Sequence, residues 1–288
     1  MLSELKDLKA VMEWVAIEDR HEGKPYARFM EAQAVVTRLE ENIYDGFLAQ
    51  HSSNQFCSPQ GFLTSAMFSA RSRKVERAKN VRVPLQSLRG EQLAYLGEEL
   101  RQIDERVLLS LFNVARHFRL GTRVAFSARE FCDATAGGHG GSARRRIQDC
   151  VRRLLNAKVE LGSTANGNQI NLLESCECGG AEEWVVALST DVSAIYHCSR
   201  RVFLDIGQRQ QLPDGLATWF YGYVLSQTKL IPQALTFLAE ACGSDADDIS
   251  FRDTLPPVMR KLADAGVVDS GWFIKQRRLH WRKASLPD

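Results

Sequence analysis

Between Ser142 and Arg153 the chain gathers Arg144, Arg145, Gln148, Arg152 and Arg153 into one short stretch. Arginine and glutamine side chains are planar and carry several hydrogen-bonding atoms. They make paired hydrogen bonds to guanine and adenine edges in a major groove, and arginine also matches the geometry of phosphate. The other residues that could do chemistry are arranged less usefully. Cys176 and Cys178, followed after an interval by His197 and Cys198, match no standard zinc spacing. "GGHGG", residues 137–141, lacks the lysine and Ser/Thr of a phosphate-binding loop, so His139 reads as a turn residue. Tyr196-His197 stands without the paired histidines a nicking tyrosine would need for its metal. No nucleophile–base arrangement or HExxH occurs. The expectation is a binding protein, not an enzyme, with no metal or cofactor.

Stepping outward, those arginines require a helix to present them. Ser142 after the glycines reads as an N-cap. On a helical wheel Ile147, Cys150, Val151, Leu154 and Leu155 fall on one side. Arg145, Gln148, Asp149, Arg152 and Asn156 fall on the other. Upstream, "QIDERVLLSLFNVARHF" is a long amphipathic helix from about Asp104. "RVAFS" is a short strand, and Ser127-Ala-Arg-Glu130 is a capping box that opens a helix to about Ala134. Downstream, "AKVEL" and "NQINLLES" alternate as two strands around the turn-rich "GSTANGN". Helix, strand, helix, turn, arginine helix and hairpin is the order of a winged helix, whose second helix enters the major groove.

The order recurs. Arg152–Val159 and Arg260–Val267 coincide at four of eight positions with a constant offset of 108 residues, which points to duplicated modules. Around the second copy, "DGLATWFYGYVLSQ" reads as a helix. "IPQALTFLAEACG" reads as another, with proline in its first turn and glycine past its end, and "VVDSGWFIKQRRLHWRK" as a basic hairpin. Pro256 and Pro257 should delay the second recognition helix to Thr254 or Leu255, with "DDISFRD" as a separate turn. The expected fold is α+β and mostly helical. An N-terminal helical extension (1–55) and a basic lead-in (56–92) precede tandem winged-helix domains at 93–205 and 206–288.

Charge distribution agrees with a polyanionic partner. The net charge is only +2, and residues 1–50 hold ten acids against six bases. The bases concentrate at 71–82, 144–158 and 275–283, which suggests local contacts with nucleic acid. Seven scattered cysteines, mostly in apolar segments, fit a reducing cytoplasm. No apolar run reaches 18 residues, so no membrane role is expected. "LLSLF", residues 108–112, has Leu108 where a sliding-clamp-binding motif has glutamine, and its leucines follow core spacing. Leu2, Leu5, Leu8, Val11 and Met12 approximate one helix face, suited either to a partner or to the first winged domain.

At "YLGEELRQIDERVLLSLFNVAR", "LGTRVAFSAREFCDA" and the arginine helix with "NAKVEL", the chain resembles the TrfA family of plasmid replication initiators. "PQGFLTSAMFSARSRKVER" resembles that family's segment ahead of its first winged helix, with Thr64 where an arginine is common. The resemblance spans about residues 56–285. It implies a bacterial, plasmid- or mobile-element-encoded cytoplasmic protein that binds direct repeats (iterons) in double-stranded DNA and helps melt the neighbouring duplex. Single-stranded DNA after melting, a host initiator protein, the replicative helicase and the sliding clamp are the further partners implied. It also implies a monomer/dimer equilibrium.

Carried onto this sequence, Ser142, Arg144, Arg145, Gln148, Arg152 and Arg153 match the first recognition helix, and Arg252, Arg260 and Lys261 the second. The wings fall around Asn166–Asn168 and around Lys275, Arg277, Arg278, Arg282 and Lys283. Pro256 and Pro257 depart from the family pattern. Trp272 and Trp281 flank the second wing's charges, placed either to stack on unpaired bases or to fill the wing's core. The rival readings are a winged-helix transcriptional regulator or autorepressor, and a hub that holds replication proteins through residues 1–50.

Overall fold

A computed structural model describes residues 46–48, 52–87, 92–162, 168–180, 182–228 and 231–284. The N-terminal helix expected from Leu2 to Met12, and Asn166, lie outside the described residues.

From Leu48 onward the chain forms one compact unit with two hydrophobic cores. The first draws on α1 (Gln60–Leu63), α2 (Gln102–Ala115), α3 (Ala128–Ala136) and α4 (Gly141–Leu155), with Val192 and Ile195 of a later short helix. The Arg101 backbone N–H donates to Asp104 Oδ2 at 2.8 Å, which starts α2 two residues earlier than the periodicity predicts. Leu108, Leu111 and Phe112 of α2 enter the first core, while Leu109 enters the second. One helix therefore serves both. Ser127 caps α3 by accepting from the Glu130 backbone N–H, and Gly137, at φ +68, ends it in the left-handed conformation that favours glycine. Helix α4 begins from Gly140, not Ser142. It buries Ile147, Cys150, Val151 and Leu154, as the wheel predicts.

The strands differ more from expectation. β6 (Val124–Ser127) pairs with β10 (Glu183–Leu188), and β10 with β9 (Leu173–Glu177), giving the order β6-β10-β9. "EWVVAL" is thus the central strand of the sheet beside α3 and α4. The hairpin expected as the first wing, β7 (Lys158–Leu161) and β8 (Asn168–Asn171), instead joins the hairpin β3 (Val81–Leu85) and β4 (Leu93–Gly97) in a sheet ordered β3-β4-β7-β8. The physical reason is apolar burial. Trp184, fully buried, meets Phe126 and Phe131 edge-on or tilted, whereas Val159 and Ile170 pair across β7 and β8 and bury beside Tyr95 of β4.

The second core gathers α7 (Leu216–Ser226), α8 (Leu235–Ala241) and α9 (Asp248–Asp264) around Trp219, Phe220, Leu238, Phe251, Leu255, Met259 and Leu262. α7 is apolar nearly all round and correspondingly buried. The short β12 (Gln233–Ala234), β13 (Phe273–Lys275) and β14 (Arg278–His280) assemble as β12-β14-β13. That is the β6-β10-β9 order repeated. Pro232 does not open α8, because the two residues after it pair with Leu279 and Arg278 of β14.

α9 also corrects the sequence reading. It runs unbroken through Pro256 and Pro257. Two backbone donors are lost there, but Phe251, Leu255, Met259 and Leu262 stay in register on the buried face across the prolines. Asp247 fastens the start by accepting from the Ile249 and Ser250 backbone N–H groups. Burial of the apolar stripe outweighs the local defect.

The segment 56–92 is no separate body. β1 (Gln55–Pro59) pairs antiparallel with β11 (Arg201–Asp205). Phe56 and Leu63 lie in the second core, and Phe62, Met67, Phe68 and Leu85 in the first. The parallel pair β2 (Phe68–Ser69) and β5 (Leu100–Arg101) and the short helices α5 (Val192–His197) and α6 (Ile206–Gln211) complete the unit. Among the described residues no helix is long and apolar enough to cross a membrane.

Candidate nucleic-acid interface

α4 packs its apolar stripe on α2 and α3 and turns the opposite face outward. Ser142, Arg145, Arg146, Gln148, Arg152 and Asn156 are all exposed. Arg145 has no hydrogen-bond or ionic partner among the described residues. Arg152 meets Asp149 at 3.0 Å with both side chains exposed. Such a surface pair is worth little and can reopen for a ligand. Arg144 donates to Gly180 O at 3.4 Å and Gln148 Nε2 to Cys178 O at 2.6 Å, so the β9–β10 loop lies along one edge of the helix. His139 Nδ1 lies 2.8 Å from Asp133 Oδ1 and belongs to the turn, as read from sequence.

Arg153 is not on this surface. Its guanidinium lies 2.7 and 2.9 Å from Asp104 Oδ1, with 10% of the side chain exposed and none of Asp104. Arg77 pairs with the other Asp104 oxygen at 2.8 Å. Desolvation lowers the Arg153 pKa and the charge of Asp104 raises it, with a net rise. Arg153 therefore anchors α4 to α2, its guanidinium engaged with Asp104 and not standing free on the outward face. The wheel places it beside the exposed face, and nothing in sequence shows that Asp104 lies under it.

The basic segment before β3 is partly structural too. Arg101 donates to the carbonyls of Ser72 and Val75, each at 2.8 Å. Glu99 accepts from Ser69, Arg101 and the Ala78 backbone N–H. Burial alone would raise the Glu99 carboxyl, but these hydrogen bonds outweigh it and hold it at about 2. The folded segment brings Arg73 and Arg77 to the N-terminal half of α4. With Ser142, Arg145 and Arg146 they line an open groove of about 380 Å³. Arg73 and Arg146 are interface candidates that the sequence reading counted as charge but did not assign. The basic clusters at 71–82 and 144–158 were their only signal.

In the second module Arg252, Arg260 and Lys261 project from α9 into solvent. Among the described residues Arg260 Nε donates only to Pro256 O, at 3.3 Å. β13 and β14 are joined by a two-residue turn in which Gln276 (φ 50) and Arg277 (φ 56) both adopt the left-handed conformation. That conformation matches the strand twist but costs non-glycine residues energy. Arg277 pairs with Asp248 in the first turn of α9. Arg278 donates to Pro232 O at 3.0 Å and Lys283 to Gln227 O at 2.8 Å. Desolvation, then the neighbouring Arg200, lowers the Lys283 pKa. Lys275 and Arg282 are exposed and unpartnered among the described residues. Trp281 is buried in the second core and Trp272 packs against it, so both tryptophans support the hairpin. Asn168 is exposed in β8, opposite Leu161, in the sheet shared with β3 and β4 and not beside α4.

Two similar modules, each presenting a helix with exposed arginines beside a three-stranded sheet, define a class of tandem helical modules with charged outward faces. The TrfA protein family model matches residues 18–282, and the chain belongs to the TrfA family of plasmid replication initiators. No curated protein matches it. Among solved structures, a selenomethionine derivative of domains 2 and 3 of RctB is similar at TM-score 0.52 and 11% identity, covering 80% of this chain and 99% of that one. A second structure of RctB domains 2-3 covers 73% of this chain and 84% of that one at TM-score 0.45 and 12% identity.

Proposed function

We propose that this initiator binds direct repeats in double-stranded DNA at a plasmid origin through two winged helices, α4 and α9 being the recognition helices. Binding then favours melting of neighbouring duplex and recruitment of host replication proteins, without catalysis by the chain itself. The observation that carries the reading is the recurrence of one architecture. Helix, strand, two helices and a hairpin give β6-β10-β9 and then β12-β14-β13, each beside a helix with exposed arginines. In this reading the β9–β10 and β13–β14 hairpins are the wings. Arg145, Gln148 and Arg152 reach base edges, while Arg73, Arg146, Lys275 and Arg282 meet phosphates.

Footprinting on DNA beside the protein's own gene, titrated with salt, tests this. Several evenly spaced, protected direct repeats are expected. Affinity should fall with a log–log slope of roughly −0.9 per phosphate contact. A single palindromic footprint over a promoter would replace the initiator by an autorepressor. Absence of any footprint would make the polar face of α4 merely solvated.

A further inference from the structure

The seven cysteines are all free, and five of them (Cys57, Cys132, Cys150, Cys198 and Cys242) are buried. Burial pushes Cys57 and Cys242 up to about 12, which keeps them protonated and unreactive. Cys176 and Cys178 differ. Both are half-exposed, and their sulfurs lie 2.8 Å apart. Residues two apart on a strand point to the same face. Cys176 is held in the ladder opposite Val186, whereas Cys178 lies just beyond the last residue of β9 and is followed by Gly179 and Gly180. One sulfur is fixed, and the other sits on backbone that can turn. Closing to a disulfide length of about 2.05 Å needs movement on the order of 1 Å.

The pair sits where a small movement matters. The carbonyl of Cys178 is the acceptor for Gln148 Nε2, and that of Gly180 accepts from Arg144 and from Trp184 Nε1. The loop carrying Cys178 thus holds the Gln148 side chain on the outward face of α4 and touches Arg144 at its edge.

We propose that Cys176 and Cys178 form a reversible dithiol–disulfide site through which oxidation resets the β9–β10 loop and its hold on Gln148. The oxidant is a peroxide or a low-molecular-weight disulfide. With hydrogen peroxide, the Cys176 thiolate attacks one oxygen, giving a sulfenic acid and releasing hydroxide. The Cys178 thiol then displaces the sulfenic hydroxyl, which leaves as water with the Cys178 proton, while the proton Cys176 lost on ionising neutralises the hydroxide. Two thiols and one peroxide become one disulfide and two waters, and a dithiol reductant reverses the change. Its hydrogen bond with Cys176, ahead of burial, raises the Cys178 pKa, so Cys178 suits the resolving role and not the attacking one. The effect on binding rests on the DNA-binding role proposed above; the chemistry of the thiols does not.

The full chain is treated with hydrogen peroxide or oxidised glutathione, unreacted thiols are alkylated, and peptides are weighed. The expected result is a peptide containing both Cys176 and Cys178 that has lost two hydrogens, escapes alkylation, and recovers after dithiothreitol. Alkylation of both residues after oxidation, or their conversion to sulfinic acids, would overturn the site. Binding to the footprinted DNA is then compared between oxidised and reduced protein. A loss on the order of fivefold, the size of one hydrogen bond, is expected in the native chain and absent in both Cys176→Ser and Cys178→Ser. Equal binding by oxidised and reduced native chain would overturn the coupling to α4. Reduced protein that binds no DNA would instead defeat the DNA-binding reading and leave the peptide masses to decide the thiol chemistry.

Discussion

Helices α4 and α9 arise from matching stretches of sequence, yet the same position serves different ends in each. Arg153 and Lys261 stand 108 residues apart at equivalent places in the repeat. Arg153 is drawn inward to the fully buried Asp104; Lys261 is exposed. α4 is thereby fastened to α2 by an ionic contact as well as an apolar stripe. α9 relies on its stripe, on the Asp247 cap and on the Arg277–Asp248 pair at its exposed first turn. A repeat in sequence conserves the side that packs. The role of a charged side chain depends on what the rest of the chain places beneath it.

Several measurements can break or sharpen that contrast. The largest effect is expected for Asp104→Ala. It leaves Arg153 and Arg77 facing a buried site without their counter-charge, a loss of about 3–5 kcal/mol readable in chemical denaturation. A loss below about 1 kcal/mol would mean that the anchor is dispensable. Next are the two exposed arginines of α4. Arg145→Ala and Arg152→Ala should each cost about 1–3 kcal/mol of affinity for the specific site and little on random DNA. An equal loss on both DNAs in a binding titration would make them phosphate contacts.

Pro257 gives a subtler test. It is exposed inside α9, and Pro257→Ala restores a backbone donor there. Stability should rise by about 1–2 kcal/mol, part of the usual cost of an interior proline being offset by a freer unfolded chain. A lower melting temperature would show that the proline ring packs usefully. The smallest effect is expected at the other end of the comparison. Lys261→Ala should change stability by no more than about 0.5 kcal/mol, while Arg153→Ala in the same assay should cost several times more. Similar losses at the two positions would remove the contrast.

Much of the helical framework was legible because amphipathic spacing reports packing directly. The buried face of α4, the Ser127 cap and the second-module hairpin could all be read from local residues. The first module's sheet could not. "KVEL" and "NQIN" alternate as well as any wing, and they do pair with each other, but strand alternation carries no information about which sheet receives the hairpin. "EWVVAL", with its β-branched run after Gly179-Gly180, was the signal for the strand that pairs with β6. The prolines misled for a related reason. Local propensity predicts a break, while four apolar side chains in register across it bury enough surface to hold the helix together.

The sequence by itself determined the duplicated order of elements, the polar and apolar faces of α4, and the gathering of arginine around three segments. These follow from periodicities and capping rules that act within a turn or two of chain. Tertiary structure alone decided that Arg153 is an anchor and Arg145 is exposed without a partner among the described residues, that Arg73 joins the groove beside α4, and that the loop bearing Cys178 lies against Gln148. Each depends on partners dozens of residues away, or farther, brought together by burial of two shared cores. Hydrophobic burial is non-directional, and no local pattern can say which distant charge or carbonyl it will bring within reach.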